Sequence, residues 1–260
     1  MIIESRTNEK IKQACALADS AKARRTSGEF LLEGMRLCCD AALTGIKILR
    51  LFYTYEASLN DRFPTVFSAA EDKYEISAEV AQRLAKTQNT QGIFCVCNMP
   101  ETGLSINTII SGGCFVALEN IQDPANLGTV CRTAEALGIR GAVLSGCCDQ
   151  YNPKAQRAAM GSLLRLPIMT VESLPSFLNE VRLKGTKTFA AVPRTQALDI
   201  RDVDFSGSAV VVIGNEANGV TAESESNCDA LTIPMGGRAE SLNASAAAAI
   251  VMWEMMRNIK

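Results

Sequence analysis

After residue 113 the apolar positions fall into short continuous runs that alternate with longer stretches of helical spacing. "CFVALE", "GAVLSG", "TFAAV", "AVVVIGN" and "ALTIPM" have strand length and little polar alternation, the pattern of parallel strands covered on both faces. Between them the spacing predicts helices over 126–138, about 153–163 and 172–184, with a last one over about 244–258. Such alternation predicts an α/β fold of the doubly wound type with a parallel sheet. Ligands of these sheets gather beyond the carboxyl ends of the strands, so the loops after Glu119, Gly214 and Met235 are the places to search.

The first hundred residues have a pattern of their own. Ile11, Cys15 and Leu17/Ala18 mark one helical face within 8–24, "FLLEG" reads as a strand, and "MRLCCDAALTG" reads as a helix ending at Gly45. "ILRLFYT", "VFSA" and "GIFCVCN" read as strands, and "SAEVAQRLAKT" as a helix capped by Ser77. A smaller α/β domain is therefore expected over 1–98. The turn-rich "NMPETGLSINTIISGG" marks a linker at 99–112, and 113–260 forms the second domain.

Composition narrows the class. The 260 residues are 47% hydrophobic, enough for packed cores. No run of about 18 apolar residues occurs, and the mixed charges of "MIIESRTNEKIK" do not suit a signal peptide. A cytoplasmic protein without membrane association is expected. Ten cysteines show no disulfide-framework spacing, and Cys95 and Cys97 form only C-x-C inside an apolar run, so buried thiols are expected and no metal. The chain has no histidine, which excludes Ser-His-Asp and Cys-His catalysis. With a net charge of −2 it is not coated for nucleic acid, but Lys22, Arg24 and Arg25 in "AKARR" form a local patch able to contact phosphate.

Three loops hold the unusual chemistry: "ENIQDPANLGTVCRTAEALG", where Asn126 is a candidate helix cap and Arg132 follows, "GNEANG" with Glu216 between Gly214 and Gly219, and "IPMGGRAESLNAS". No G-x-G-x-x-G follows a strand near the start of either domain, and "GGRAES" lacks the Gly-Lys-Ser/Thr ending of a phosphate loop. A nucleoside-type ligand without a phosphate chain fits better.

Taken together, "DPANLGTVCRTAEALG", "VVIGNEANGV" and "IPMGGRAESLNASAAAA" resemble, in order, the three motifs of the SpoU (TrmH-like) branch of the SPOUT RNA methyltransferases. The first hundred residues are similar to the ribosomal-protein-like substrate-binding domain that precedes it in many members. The resemblance implies a deep trefoil knot, a homodimer through the knotted domain, and methyl transfer from S-adenosylmethionine to a ribose 2′-hydroxyl, in ribosomal RNA of the 23S type ahead of transfer RNA. It implies donor binding by Gly214, Asn215, Ile233, Met235, Ser241, Leu242 and Asn243. Gly219 joins them because glycine permits positive φ and close backbone approach. Catalytic roles fall to Arg132, Glu216 and Asn243, and RNA contacts to Asn126, Lys22, Arg24, Arg25, Lys154 and Arg157.

The base stays open at this point: Arg132 itself, a carboxylate such as Glu216 or Glu119, or an RNA phosphate with Arg132 stabilising the alkoxide. Valine is common in relatives where Ala244 stands, and serine where Ala159 stands. A non-catalytic RNA-binding or ribosome-associated protein retaining the fold is the competing expectation.

Overall fold

The computed structural model describes residues 2–101, 103–194 and 196–257. They form two compact units, Met1–Glu101 with Asp149–Arg165, and Thr102–Cys148 with Leu166–Lys260.

In the first unit, strands β1 (Glu29–Glu33), β2 (Ile48–Tyr53), β3 (Ala70–Glu75) and β4 (Ile93–Asn98) form a sheet of order β1-β4-β2-β3. The pairs of β4 with β1 and β2 are antiparallel, and β2 runs parallel to β3. Both faces are covered, which explains the unbroken apolar run of β4: Ile93, Cys95 and Cys97 enter one core, and Phe94 and Val96 the other. Burial pushes the Cys95 and Cys97 thiols well above the ordinary range.

Two readings of this unit are corrected. Residues 66–69, read as a strand, lie in a helix, Phe63–Ala69, with Pro64 in its first turn. The strand that follows, "AEDKYE", lacks an apolar run because β3 is an edge strand with an exposed face. The single helix read over 8–24 is divided at Ser20, whose N–H closes Glu9–Asp19 and whose Oγ caps Ala21–Ser27.

The segment Asp149–Arg165 lies by position inside the predicted second domain but folds with the first unit. Tyr151 sets its ring 4.6 Å from Phe30. Tyr151 and Leu164 belong to the same core cluster as Phe30 and Leu32. Asp149 pairs with Arg24 at 2.6 Å. Its helix, Pro153–Ala159, carries Lys154 and Arg157.

In the second unit, β5 (Gly113–Glu119), β6 (Gly141–Ser145), β7 (Ile168–Thr170), β8 (Lys187–Ala191), β9 (Leu198–Asp199), β10 (Ser208–Ile213) and β11 (Asp229–Thr232) form one parallel sheet of order β7-β6-β5-β10-β8-β11-β9. The parallel α/β architecture is as the pattern predicts. A short helix, Ile106–Ile110, stands where the linker is read. The last helix runs Ala244–Met256, and the predicted end at residue 258 lies outside the described residues. It packs against the Pro124–Leu137 helix. No described helix is long and apolar enough to cross a membrane.

Candidate functional site

Strands β8, β10 and β11 are neighbours in the sheet, and beyond their carboxyl ends lies a cleft of about 350 Å³. The turn after β10 forms one wall. Asn215 and Gly219 exchange two backbone hydrogen bonds, at 3.0 and 2.9 Å, and Gly219 has φ +68°. Gly214 lies so close beneath this turn that a Cβ would sit 2.1 to 2.3 Å from backbone atoms of Gly219 and Val220, which only glycine avoids. The Asn215 side chain pins the turn: its Nδ2 donates to the Asn120 carbonyl at 2.8 Å and its Oδ1 accepts from the Ala217 and Asn218 N–H groups.

The loop after β11 forms the other wall, with Ile233, Met235, Ser241 and Leu242 lining the cleft. Among the described residues the backbone groups of 235–241 make no hydrogen bond to other backbone groups, and these residues are exposed. Backbone donors and acceptors are obligatory hydrogen-bonding groups, so this stretch is open to a ligand recognised by main chain. The apolar side chains beside it suit the faces of a planar heterocycle. Glu216 and Glu240 also line the cleft, and their carboxylates favour a cationic ligand.

A polar chain runs from this wall to the Pro124–Leu137 helix. Asn126 donates from Nδ2 to Glu216 Oε1 at 2.5 Å and accepts at Oδ1 from Asn243 Nδ2 at 3.4 Å. Asn243 also caps the last helix, its Oδ1 accepting from the Ser245 N–H at 2.9 Å. Asn126 is not a cap: the helix starts at Pro124 and Asp123 caps it. Its amide is thereby free to bridge Glu216 and Asn243. Arg132, on the same helix, is exposed and among the described residues makes no hydrogen bond or ion pair. The hydrogen-bond partner of Glu216 is Asn126.

Glu119 is no free base. At the end of β5 it is 4% exposed. It accepts from the Thr221 N–H at 2.8 Å, the Thr221 hydroxyl at 2.8 Å and the Ser224 hydroxyl at 2.5 Å. This clamp holds the segment that follows the Gly214–Gly219 turn. Sequence reading missed that role, although a carboxylate ending an apolar strand run was its signal. It also missed Val192 and Pro193, which close the cleft after β8.

Residues 113–253 match the SpoU rRNA methylase family. The chain belongs to this family. Residues 8–95 match the MRM3-like substrate binding domain. The SpoU chain is 32% identical to the 23S rRNA (guanosine(2553)-2′-O)-methyltransferase RlmP of Bacillus subtilis, over 97% of this chain and 98% of that protein. Among solved structures it resembles an AdoMet-bound rRNA methyltransferase from Sinorhizobium meliloti, with TM-score 0.88, 28% identity, and coverage of 100% of this chain and 98% of that one. It also resembles the SpoU methyltransferase AviRb from Streptomyces viridochromogenes in complex with the cofactor AdoMet, with TM-score 0.85, 27% identity, and coverage of 96% and 97%.

The candidate RNA contacts in the first unit of this SpoU chain divide by exposure. Lys22, Arg25 and Lys154 are exposed. Arg24 is corrected: it is 2% exposed, with Nε and Nη2 on Asp149 and Nη1 donating to the Leu17 carbonyl at 2.6 Å. Its cation joins helix to core and faces no solvent. Arg157 is half-buried, with Nη1 buried and without a hydrogen-bond partner. Lys22→Ala and Arg25→Ala are each expected to lower the slope of log affinity for RNA against log salt by about one. Filter-binding titrations across salt concentrations check this, and an unchanged slope in both removes the patch from the interface.

Proposed function

We propose that this SpoU-family chain transfers a methyl group from S-adenosylmethionine to a ribose 2′-hydroxyl in ribosomal RNA of the 23S type. The observation that carries this reading is the cleft itself: a glycine-built turn, a loop of unengaged backbone and two carboxylates around an apolar gap. That donor set fits a nucleoside bearing a cationic sulfonium, with Ile233, Met235 and Leu242 against the adenine and the main chain of Gly214, Asn215 and the loop to Ser241 on its polar edges. S-adenosylmethionine supplies a sulfonium methyl already activated for in-line attack. The residues then have mainly to position the hydroxyl, which is worth about 7–11 kcal/mol in well-oriented systems.

Asn126, Glu216 and Asn243, joined by hydrogen bonds, orient the ribose. As the O–CH3 bond forms and the S–CH3 bond breaks, the hydroxyl proton passes to the Glu216 carboxylate, and Arg132, whose guanidinium stays charged in proteins, offsets the charge on the ribose oxygen. The first unit holds the RNA through Lys22, Arg25, Lys154 and Arg157. We assign residues 113–260 the trefoil knot of the family and a homodimer through it, in the cytoplasm. Supporting the dimer, Ala246, Ile250 and Trp253 share the outward face of the last helix, and Ile250 and Trp253 remain 42% and 61% exposed. An apolar outer face on an apolar helix calls for a partner.

Calorimetry with S-adenosylmethionine and its demethylated product, followed by mapping of labelled methyl groups in ribosomal RNA, tests the reading. Donor binding and a mapped 2′-O-methyl position are expected. A chain with no affinity for either compound is a bare RNA binder, and the reading fails.

A further inference from the structure

The first unit contains a cleft of about 450 Å³, within the roughly 300–1,000 Å³ range of small-molecule sites. Met35, Ala57 and Ala81 give it apolar surface, while Asn60, Gln91 and Glu56 bring polar groups to its lining. No described lining residue is cationic, so its chemistry is not that of a phosphate site.

Of the three lining amides, Asn60, Gln82 and Gln91, those of Asn60 and Gln91 are held in orientation. Gln91 Oε1 accepts from the Met35 N–H at 2.8 Å, and Asn60 Oδ1 accepts from the Arg62 N–H at 3.0 Å. Each oxygen is thus occupied, and each NH₂ is left as the donating end. Neither NH₂ has a partner among the described residues. Glu56 is exposed and supplies acceptor oxygens.

The loop carrying Gln91 is held at both ends. Glu33 accepts from the Lys86 N–H at 2.8 Å and from the Thr87 hydroxyl at 2.5 Å. Gly92, at φ +66°, accepts from the Thr54 N–H at 2.8 Å and packs so tightly that a Cβ would lie 2.5 Å from Thr54 Oγ1. The Gln91 donor therefore sits on a preorganised frame.

We infer that this cleft takes one unpaired nucleobase of the RNA, read on its Watson–Crick edge. Unstacked bases are how proteins read RNA sequence. Two amide donors beside a carboxylate complement a base that carries a carbonyl next to an N–H, which is guanine or uracil. The inference rests on the proposed RNA methyltransferase function and names a specificity site within it.

The test uses the full chain, Gln91→Glu and Asn60→Asp, and a 23S-type rRNA transcript as probe. Both substitutions keep the oxygen that accepts from backbone and replace the NH₂ donor with a second oxygen. Affinity for the transcript should fall about tenfold in each, the scale of one lost base-edge contact. Each substitution also adds a negative charge, so the comparison is made at a salt concentration high enough to screen its repulsion of the RNA, and S-adenosylmethionine affinity should stay at the wild-type level. Carbodiimide probing, which marks N1 of guanine and N3 of uracil, should show one unpaired base protected by wild type and released by both variants. Unchanged affinity and protection in both variants overturn the inference while leaving the methyltransferase reading intact. Failure of the wild-type chain to transfer methyl groups to ribosomal RNA removes that reading, and the cleft's role with it.

Discussion

Arg132→Ala is expected to lower kcat for methyl transfer by a factor of about 10²–10³, the loss typical when one preorganised group facing a developing negative charge is removed. Folding should be untouched, since the side chain is exposed and makes no hydrogen bond or ion pair among the described residues. Donor affinity should hold as well, because Arg132 is not among the residues lining the cleft. Arg132→Lys keeps the charge but loses the planar fork, so partial recovery is the expected result. Single-turnover transfer to ribosomal RNA, run beside calorimetry with S-adenosylmethionine, separates the two effects. Near-wild-type turnover in the alanine variant would remove Arg132 from the chemistry.

The parallel sheet of the second unit was legible because its central strands are buried on both faces: "AVVVIG" has no other economical reading than a covered strand. The edge strand β3 was not legible, because "AEDKYE" has no apolar run to signal it, while the buried Val66 before it lent "VFSA" the look of a strand. Local patterns also could not separate Arg24 from Lys22 and Arg25. The three are close in sequence, but only Arg24 turns inward to Asp149, which lies 125 residues away. Of the candidate site, the glycines and the "SLN" stretch were visible as motifs. The bridge from Asn126 to Glu216 and Asn243 spans 90 and 117 residues, and the helix start is capped by Asp123, so capping logic alone misassigned Asn126. Glu119 shows the limit most plainly, since a strand-end carboxylate is equally consistent with a base and with a clamp until its partners are known.

Those partners make Glu119→Ala the substitution with the largest expected effect on stability. It leaves the Thr221 N–H and the Thr221 and Ser224 hydroxyls without their common acceptor, and Ser224 is fully buried. A buried donor deprived of its partner costs about 1–3 kcal/mol, so a loss of about 3–5 kcal/mol follows for three non-additive contacts. Urea unfolding should show it as a large drop in midpoint. Glu119→Gln should fall between, because its carbonyl oxygen can still accept while its NH₂ meets a donor. The same substitutions should weaken S-adenosylmethionine binding, since Thr221 lies two residues beyond the Gly214–Gly219 turn that walls the cleft. Arg132→Ala gives the opposite signature, with transfer lost while stability and donor affinity remain. A Glu119→Ala chain with wild-type midpoint and donor affinity would show that the turn is held by its own Asn215–Gly219 hydrogen bonds, and that the clamp beneath it is dispensable.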